Sequence, residues 1–363
     1  MANTYCVIMA GGIGSRFWPM STATFPKQFH DILGTGETLI QQTFKRLSQV
    51  TTADKILVVT HKKYKNLVAE QLPQMPAENI ILEPARRNTA PCITYAAYRI
   101  QSQDPTANIL IAPSDHLITD GKEFNRICKL ALQTAEDNRF LLTLGIKPHR
   151  PDTGYGYIQF VEQEETDLDH EVKIVKTFTE KPNAELAQQF LESGDFLWNS
   201  GIFIWNLQSF KKELEEYQPE LFETFEQGAN KFGTDAEAAF VDEIYPSCNN
   251  ESIDYGLMEK SANVYVIPSE FGWSDLGTWG SLYEHTAKDK EQNAIIGKKV
   301  ITYSSQENIV RVPNNKIAVL EGLKDYIIID TEEALLVCKK KNEQMIKSFV
   351  SDVKLQFGDE SGI

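Results

Sequence analysis

The chain is predicted to be an α/β protein: a Rossmann-like, mostly parallel sheet flanked by helices, with a small β-rich, β-helix-like C-terminal domain. Two observations carry this expectation. Through residues 1–146, short apolar runs bounded by loop residues alternate with stretches of helical periodicity, the pattern of doubly covered parallel strands joined by crossover helices. Past about residue 290 the runs shorten and recur every roughly eight to ten residues with turns between them, the spacing of a small all-β module. The expected division is therefore a large α/β domain at 1–288 and a β-rich domain with a terminal helix at 289–363.

Taken in order, Tyr5–Ala10, Lys55–Thr60, Ile80–Leu82, Asn108–Ala112 and Phe140–Ile146 read as buried strands. Between them Ile40, Phe44 and Leu47 fall on one helical face, as do Ile93, Ala97 and Ile100. Phe124, Ile127, Cys128, Ala131 and Ala135 make the clearest stripe. Thr89 before Ala90-Pro91 supplies a capping residue and a first-turn proline. Beyond 150, Gly154–Ile158 and Val172–Phe178 read as strands near a turn or hairpin, and Ala184–Leu191, Phe210–Phe225 and Asp235–Tyr245 as helices. In the tail, Lys299–Tyr303, Ile309–Val312, Ile317–Leu320, Tyr326–Asp330 and Ala334–Cys338 read as strands, compatible with a few irregular β-helix coils. Ile317, Val319, Tyr326 and Ile328 are expected on half-buried faces, and Glu343–Leu355 as a closing helix.

Composition narrows the function classes. The chain has 363 residues, 42% of them hydrophobic and 24% charged, with no run of 18 apolar residues that would write a membrane helix. Its first residues lack a basic segment ahead of the apolar one, so they read as a buried strand rather than a signal peptide, and a cytoplasmic location is expected. Five scattered cysteines show no metal spacing; Cys6 and Cys128 read as small core residues. A net charge of −15 argues against a nucleic-acid partner, and no feature suggests a membrane one. Against that acidic background, the first thirty residues hold Arg16 and Lys27 and no acidic residue.

In doubly wound sheets ligands bind beyond the carboxyl ends of the strands. That singles out Gly11–Arg16, Glu83–Pro91 and Pro113–His116, including Ser114. Gly11-Gly12-Ile13-Gly14-Ser15-Arg16 follows a strand, and its glycines let backbone N–H groups approach an anion. It is neither a P-loop nor a dinucleotide fingerprint, since it lacks Gly-Lys-Ser/Thr and Phe17 stands where a third glycine belongs. Its continuation sets Arg16 and Lys27 in proline-stiffened segments, which suits a polyphosphate gripped by a guanidinium fork and a point charge.

GGIGSRFWPMSTATFPKQF resembles the signature of the sugar-nucleotide pyrophosphorylases. Further motifs of that family follow in order: EPARRNTAP at 83–91, APSDH at 112–116, TGYGYI at 153–158, FTEKP at 178–182, WNSGIFIW at 198–205, SIDYGLMEKS at 252–261 and WSDLGTW at 273–279. The resemblance implies Mg²⁺-dependent transfer of a nucleotidyl group to a sugar 1-phosphate with release of pyrophosphate. The wording of WPxS…PKQF, RNTAP and WNSGIFIW implies GTP and mannose 1-phosphate as the pair. It implies that Asp115 and Asp275 hold the metal, Arg16 the leaving pyrophosphate and Lys27 the triphosphate near the α-phosphorus. Lys181 would neutralise the sugar phosphate, Glu180 and Asn199 would meet sugar hydroxyls, and Gly156 would admit the sugar to the backbone. The base is expected along Glu83–Pro91, where Glu83 or loop carbonyls accept from guanine; Asn88 and Thr89 equally fit helix caps. Trp198 and Tyr155 fit pocket walls or core, and His116 fits loop support.

Two departures stand out: Thr22 where the family often has arginine after the serine of WPxS, and Arg86 where many members have glycine. Longer relatives carry a further cupin domain for which this sequence has no counterpart, so a single activity is expected. A homodimer is compatible with the β-rich tail. The competing readings are a glucose-1-phosphate thymidylyl- or uridylyltransferase, and a silent sugar-nucleotide-binding homologue. Retention of Arg16, Lys27, Asp115, Lys181 and Asp275 speaks against the silent form.

Overall fold

The computed structural model describes residues 3–137, 140–161 and 168–358. These fall into two compact units: Met1–Gly11, Thr43–Ser114 and Ile118–Trp273 in the first, Gly12–Gln42, Asp115–Leu117 and Ser274–Ile363 in the second.

The first unit is built on a nine-stranded sheet. Its opening strands β1 (Thr4–Met9), β2 (Ile56–His61), β3 (Ile80–Glu83) and β4 (Asn108–Pro113) match the expected apolar runs within a residue or two. After the two-residue β5 (Leu117–Ile118) come β6 (Leu141–Ile146), β7 (Gly156–Val161), β8 (Lys173–Glu180), β9 (Phe196–Asn206) and β10 (Val264–Ser269). The strand order is β3-β2-β1-β4-β9-β6-β10-β8-β7. β1 pairs in parallel with β2 and β4, and β6 with β10, whereas β9 runs antiparallel to both β4 and β6. The sheet is thus mostly parallel where strands are continuous and apolar, and mixed where the chain enters the 150–200 region. That region carries the expected hairpin, with β7 antiparallel to β8.

Helices α1 (Leu39–Leu47), α3 (Thr89–Gln101) and α4 (Gly121–Asp137) follow the predicted stripes, and α2 (Lys65–Gln71) is a short helix that no stripe predicted. Ile93, Ala97 and Ile100 of α3 pack with Val7, Leu57 and Ile109 in the sheet's core. Of the two expected capping residues, the structure uses the first. Asn88 is the N-cap, its Oδ1 accepting from Thr89 N–H at 2.9 Å, while the Thr89 hydroxyl accepts from Ile253 N–H at 2.8 Å. After α5 (Ala184–Ser193), the single helix expected at Phe210–Phe225 is two, α6 (Leu207–Tyr217) and α7 (Pro219–Glu226). Pro219 has no N–H to continue α6 and excludes the residue before it from helical geometry; Gln218 sits at φ −136°, ψ 54°. The last helix of this unit is α8 (Glu237–Ile244). Cys6 and Cys128 are fully buried, and burial pushes both thiols well up, as small core residues require.

The second unit contains helix α9 (Trp279–His285) and the β-rich module. After β11 (Trp273–Ser274) come β12 (Ala294–Ile296), β13 (Val300–Tyr303), β14 (Ile309–Arg311), β15 (Ala318–Glu321), β16 (Tyr326–Asp330) and β17 (Leu335–Lys339). β12, β14 and β16 stack in parallel, β13 stacks on β15, and β17 closes antiparallel to β16. This is coil-on-coil, β-helix geometry. A buried amide ladder ties the coils: Asn308 Nδ2 donates to Asn293 Oδ1 at 2.9 Å, and Asn308 Oδ1 accepts from Tyr326 N–H at 2.9 Å.

The expected register of β15 is reversed. Ile317 and Val319 are 71% and 58% exposed, while Ala318 and Leu320 pack on Val310, Val312 and Ile328. Alternation fixes two faces but not which one is covered, and here the inward position falls to the smaller Ala318. The tail closes with a 3-10 turn at Lys340–Met345 running into α10 (Ile346–Phe357). Ile346 is fully buried in a cluster with Phe17, Trp279, Leu282 and Ile327. Among the described residues no helix is long and apolar enough to cross a membrane.

Candidate active site

In the second unit, Gly14 takes φ 72°, a left-handed conformation that costs glycine little. A Cβ there would stand 2.5 Å from the Lys27 Cβ, so glycine is needed for the conformation and for the close approach. The loop is tied back on itself: Lys27 N–H donates to the Ile13 carbonyl at 3.1 Å, Gln28 Nε2 to the Gly12 carbonyl at 3.0 Å, and the Ser21 hydroxyl to the Ile13 carbonyl. The turn Ser15–Phe17 then projects Arg16.

Lys27 is 3% exposed, and its buried ammonium is partnered. It donates to Asp115 Oδ2 at 3.0 Å and to the Asp275 backbone carbonyl at 2.8 Å, and lies over the Phe17 ring. Burial opposes ionisation of Asp115, but Lys27 and His116 outweigh it and hold the carboxyl below its ordinary value. Asp275 Oδ1 accepts from Gly277 N–H at 2.9 Å, and a Cβ on Gly277 would stand 2.5 Å from Asp275 Oδ2. Gly14, Ser15, Arg16, Lys27, Asp115, His116, Asp275, Gly277 and Lys347 line one cleft of about 310 Å³. Two carboxylates of oxygen-donor type, beside a neutralising lysine, make a donor set that fits a hard divalent cation. Thr22 accepts from Phe25 N–H at 3.1 Å and serves the local turn.

The first unit holds the remaining candidates in two groups. In one, Gly156 stands opposite Glu180 across the β7–β8 ladder, and a Cβ on it would collide with Glu180 Oε2 and come 3.3 Å from the Asn199 Cβ. The bare backbone of Gly156 is thus the floor beneath both polar side chains. Lys181, with φ 49°, bonds Glu180 through its ammonium. Burial lowers the basicity of Lys181, and Glu180 more than reverses it. Asn199 is held at both ends: its Oδ1 accepts from Gly201 N–H at 3.1 Å and Thr143 Oγ1 at 3.3 Å, and its Nδ2 donates to Asp254 at 2.7 Å.

Asp254 is the group that sequence reasoning missed. It opens a π-helical turn, Asp254–Met258, a rare form enriched at functional sites. Burial and the nearby Glu180 push its carboxyl up to about 6. The available signal was a carboxylate set among Ile253, Gly256, Leu257 and Met258, all of them buried. Tyr155 and Trp198 meet edge-on at 5.0 Å between ring centroids, with Arg150 over both rings; Trp198 is 2% exposed and belongs to the core.

In the other group Glu83 is 4% exposed, accepts from the Tyr245 hydroxyl, and would be met at 3.2 Å by a Cβ on Gly11. Burial pushes its carboxyl up to about 7. Asn88 caps α3 with φ 67°, and Ser114 is buried with its N–H on the Met9 carbonyl and its carbonyl accepting from Thr43. Arg86 keeps a negative φ, so no glycine is required there, and it donates to the Tyr64 hydroxyl at 2.7 Å.

Residues 5–292 match the nucleotidyl transferase family. The chain belongs to that family. Residues 298–353 match the MannoseP isomerase/GMP-like beta-helix domain, in agreement with the stacked coils of the C-terminal module. This nucleotidyl transferase is 37% identical over 358 residues to the mannose-1-phosphate guanylyltransferase of Escherichia coli K12, covering 97% of this chain and 74% of that one. It is likewise 37% identical to the mannose-1-phosphate guanylyltransferase ManC of Salmonella typhimurium, over 96% of this chain and 73% of the relative. Among solved structures, the mannose-1-phosphate geranyltransferase of Thermus thermophilus superposes with a TM-score of 0.86 at 26% identity, covering 97% and 99% of the two chains.

Proposed function

We propose that this nucleotidyl transferase moves GMP from GTP to α-D-mannose 1-phosphate, giving GDP-mannose and pyrophosphate. The observation that carries the reading is one cleft lined by Arg16, Lys27, Asp115 and Asp275, formed by the left-handed turn at Gly14. A phosphate dianion is already a competent nucleophile, so the protein needs no catalytic serine, cysteine or histidine; positioning and charge neutralisation suffice. The sugar phosphate oxygen attacks the α-phosphorus in line, the new P–O bond forms, and the bond to the β-phosphate breaks with its electron pair leaving on pyrophosphate.

Arg16 grips the leaving pyrophosphate, and Lys27 neutralises charge near the α-phosphorus. Asp115 and Asp275 would hold Mg²⁺, which supplies charge neutralisation and a template for the phosphates. Lys181 neutralises the sugar phosphate. Glu180 and Asn199 bond sugar hydroxyls above the bare backbone of Gly156, which the side-chain-free contact there supports. With Glu83 buried on Tyr245, the guanine donor edge is left to loop carbonyls of 84–88, and Glu83 holds that loop's root. The choice of guanine and mannose is supported by the names of relatives at 37% identity.

The test is pyrophosphate release in a cross of GTP, dTTP, UTP and CTP with mannose, glucose and N-acetylglucosamine 1-phosphates, with and without Mg²⁺. Release with GTP and mannose 1-phosphate, only with the metal, is expected. Release with dTTP and glucose 1-phosphate alone would reassign the substrates, and no release with any pair would remove the activity.

A further inference from the structure

Lys347 lies on the first turn of α10, well outside the loop motifs that define the nucleotidyl transferases by sequence. Its side chain nevertheless lines the same cleft as Arg16, Lys27, Asp115 and Asp275. The segment that carries it is tied to the phosphate loop. Arg16 Nε donates to Gln344 Oε1 at 3.0 Å, fixing the guanidinium by its inner edge and leaving both terminal nitrogens without another partner among the described residues. Among the same residues Lys347 has no carboxylate partner, and it is exposed. The guanidinium of Arg16, with a smaller contribution from burial, holds Lys347 below its ordinary basicity, as like charges do when no anion stands between them.

Ile346 next to it is fully buried and anchors the turn in the same cluster as Phe17, so Lys347 is presented by a fixed element rather than a loose tail. Arg16 and Lys347, neither paired with a carboxylate among the described residues, line one cleft in a chain with fifteen more acidic than basic side chains (Asp+Glu 51, Lys+Arg 36), and that fits a polyanion.

We propose that Lys347 is a phosphate-binding residue of the active cleft, gripping together with Arg16 the terminal two phosphates of the nucleoside triphosphate and the pyrophosphate that leaves. The inference rests on the nucleotidyl-transfer reading and adds the C-terminal module to the machinery: its last helix contributes a ligand for the leaving group.

The experiment compares wild type with Lys347→Ala and Lys347→Arg. Isothermal titration of inorganic pyrophosphate with Mg²⁺ gives affinity independently of turnover. Initial rates give KM for GTP, for mannose 1-phosphate and, in the reverse direction, for pyrophosphate. Lys347→Ala is expected to weaken pyrophosphate and raise the GTP KM by about tenfold, as loss of one charge-assisted contact does. The mannose 1-phosphate KM should stay within about twofold, the unfolding midpoint should hold, and Lys347→Arg should regain most of the loss. Lys341→Ala, in the preceding turn, serves as a control for net charge and is expected to change none of these. Unchanged pyrophosphate affinity in folded Lys347→Ala overturns the proposal. So does an equal rise in both KM values, which would mark a general structural effect. If wild type turns over no substrate pair, the nucleotidyl reading fails, and the pyrophosphate titration still decides the role of Lys347.

Discussion

Lys27 shows what a buried charge demands of its neighbours. Its ammonium keeps one bond to a side chain, Asp115, and one to the main chain, the carbonyl of Asp275. The two aspartates should therefore respond differently to the same substitution. Asp115→Asn removes both a proposed metal ligand and the charge that compensates Lys27, so turnover should fall at least about a hundredfold and stability by about 2 kcal/mol, since breaking such a pair strands the other ion. Asp275→Asn leaves the carbonyl in place, so turnover should fall as far with little change in the unfolding midpoint. Equal destabilisation by the two would show that Lys27 does not distinguish them. Glu83 gives a second prediction at this scale. Its carboxyl rises from the ordinary 4.5 to about 7 because it is buried. The folded state then holds the proton more tightly than the unfolded one, so stability declines as pH climbs from about 4.5 through 7. Glu83→Gln cannot ionise, and should gain on wild type by about 3 kcal/mol between pH 4.5 and 8. Parallel denaturation curves at both pH values would contradict that.

The elements that carry the site depend on conformations few residues adopt. Gly14→Ala would put a Cβ at φ 72° and 2.5 Å from Lys27, so it should displace the lysine and cut turnover sharply with the sheet intact, as circular dichroism and initial rates would report. In the β-helix, Asn308 serves coils above and below, and Asn308→Ala strands the Tyr326 N–H; a loss of about 1–3 kcal/mol is expected by chemical denaturation. The parallel strands were legible because each is apolar on both faces, as in Cys6-Val7-Ile8, where burial leaves no choice of orientation. The glycine loop was legible because Gly14 and Lys27 each carry a local signature. The covered face of β15 was not, since alternating Ile317, Ala318, Val319 and Leu320 are apolar on both faces and only the stacked coils decide which is covered. Asp254 escaped because its meaning lies in Asn199 and Glu180, 55 and 74 positions earlier, and no local pattern joins them. Sequence periodicity reports what one element buries; it does not report which polar groups the topology later brings together.

At the scale of the whole chain, the charge balance sets two opposed responses to salt. A formal charge of −15 makes the folded state repel itself, and added salt screens that repulsion. The cleft, however, gathers Arg16, Lys27 and Lys347 for a highly anionic substrate, and the same salt screens that attraction. Raising NaCl from roughly 20 to 200 mM shortens the screening length from about 20 Å to under 10 Å, the range over which dispersed surface charges interact. The melting temperature should therefore rise while the GTP KM also rises, a protein made more stable and less able to hold its substrate by one change of solvent. Mg²⁺ must be held at fixed free concentration, since salt also weakens its complex with the triphosphate. Lys347→Ala should flatten the salt dependence of the GTP KM and leave that of the melting temperature unchanged, because one exposed cation matters to the cleft and hardly at all to the total. A GTP KM indifferent to salt in wild type would mean that the three cations do not act on the triphosphate through their charge, whatever their position in the cleft.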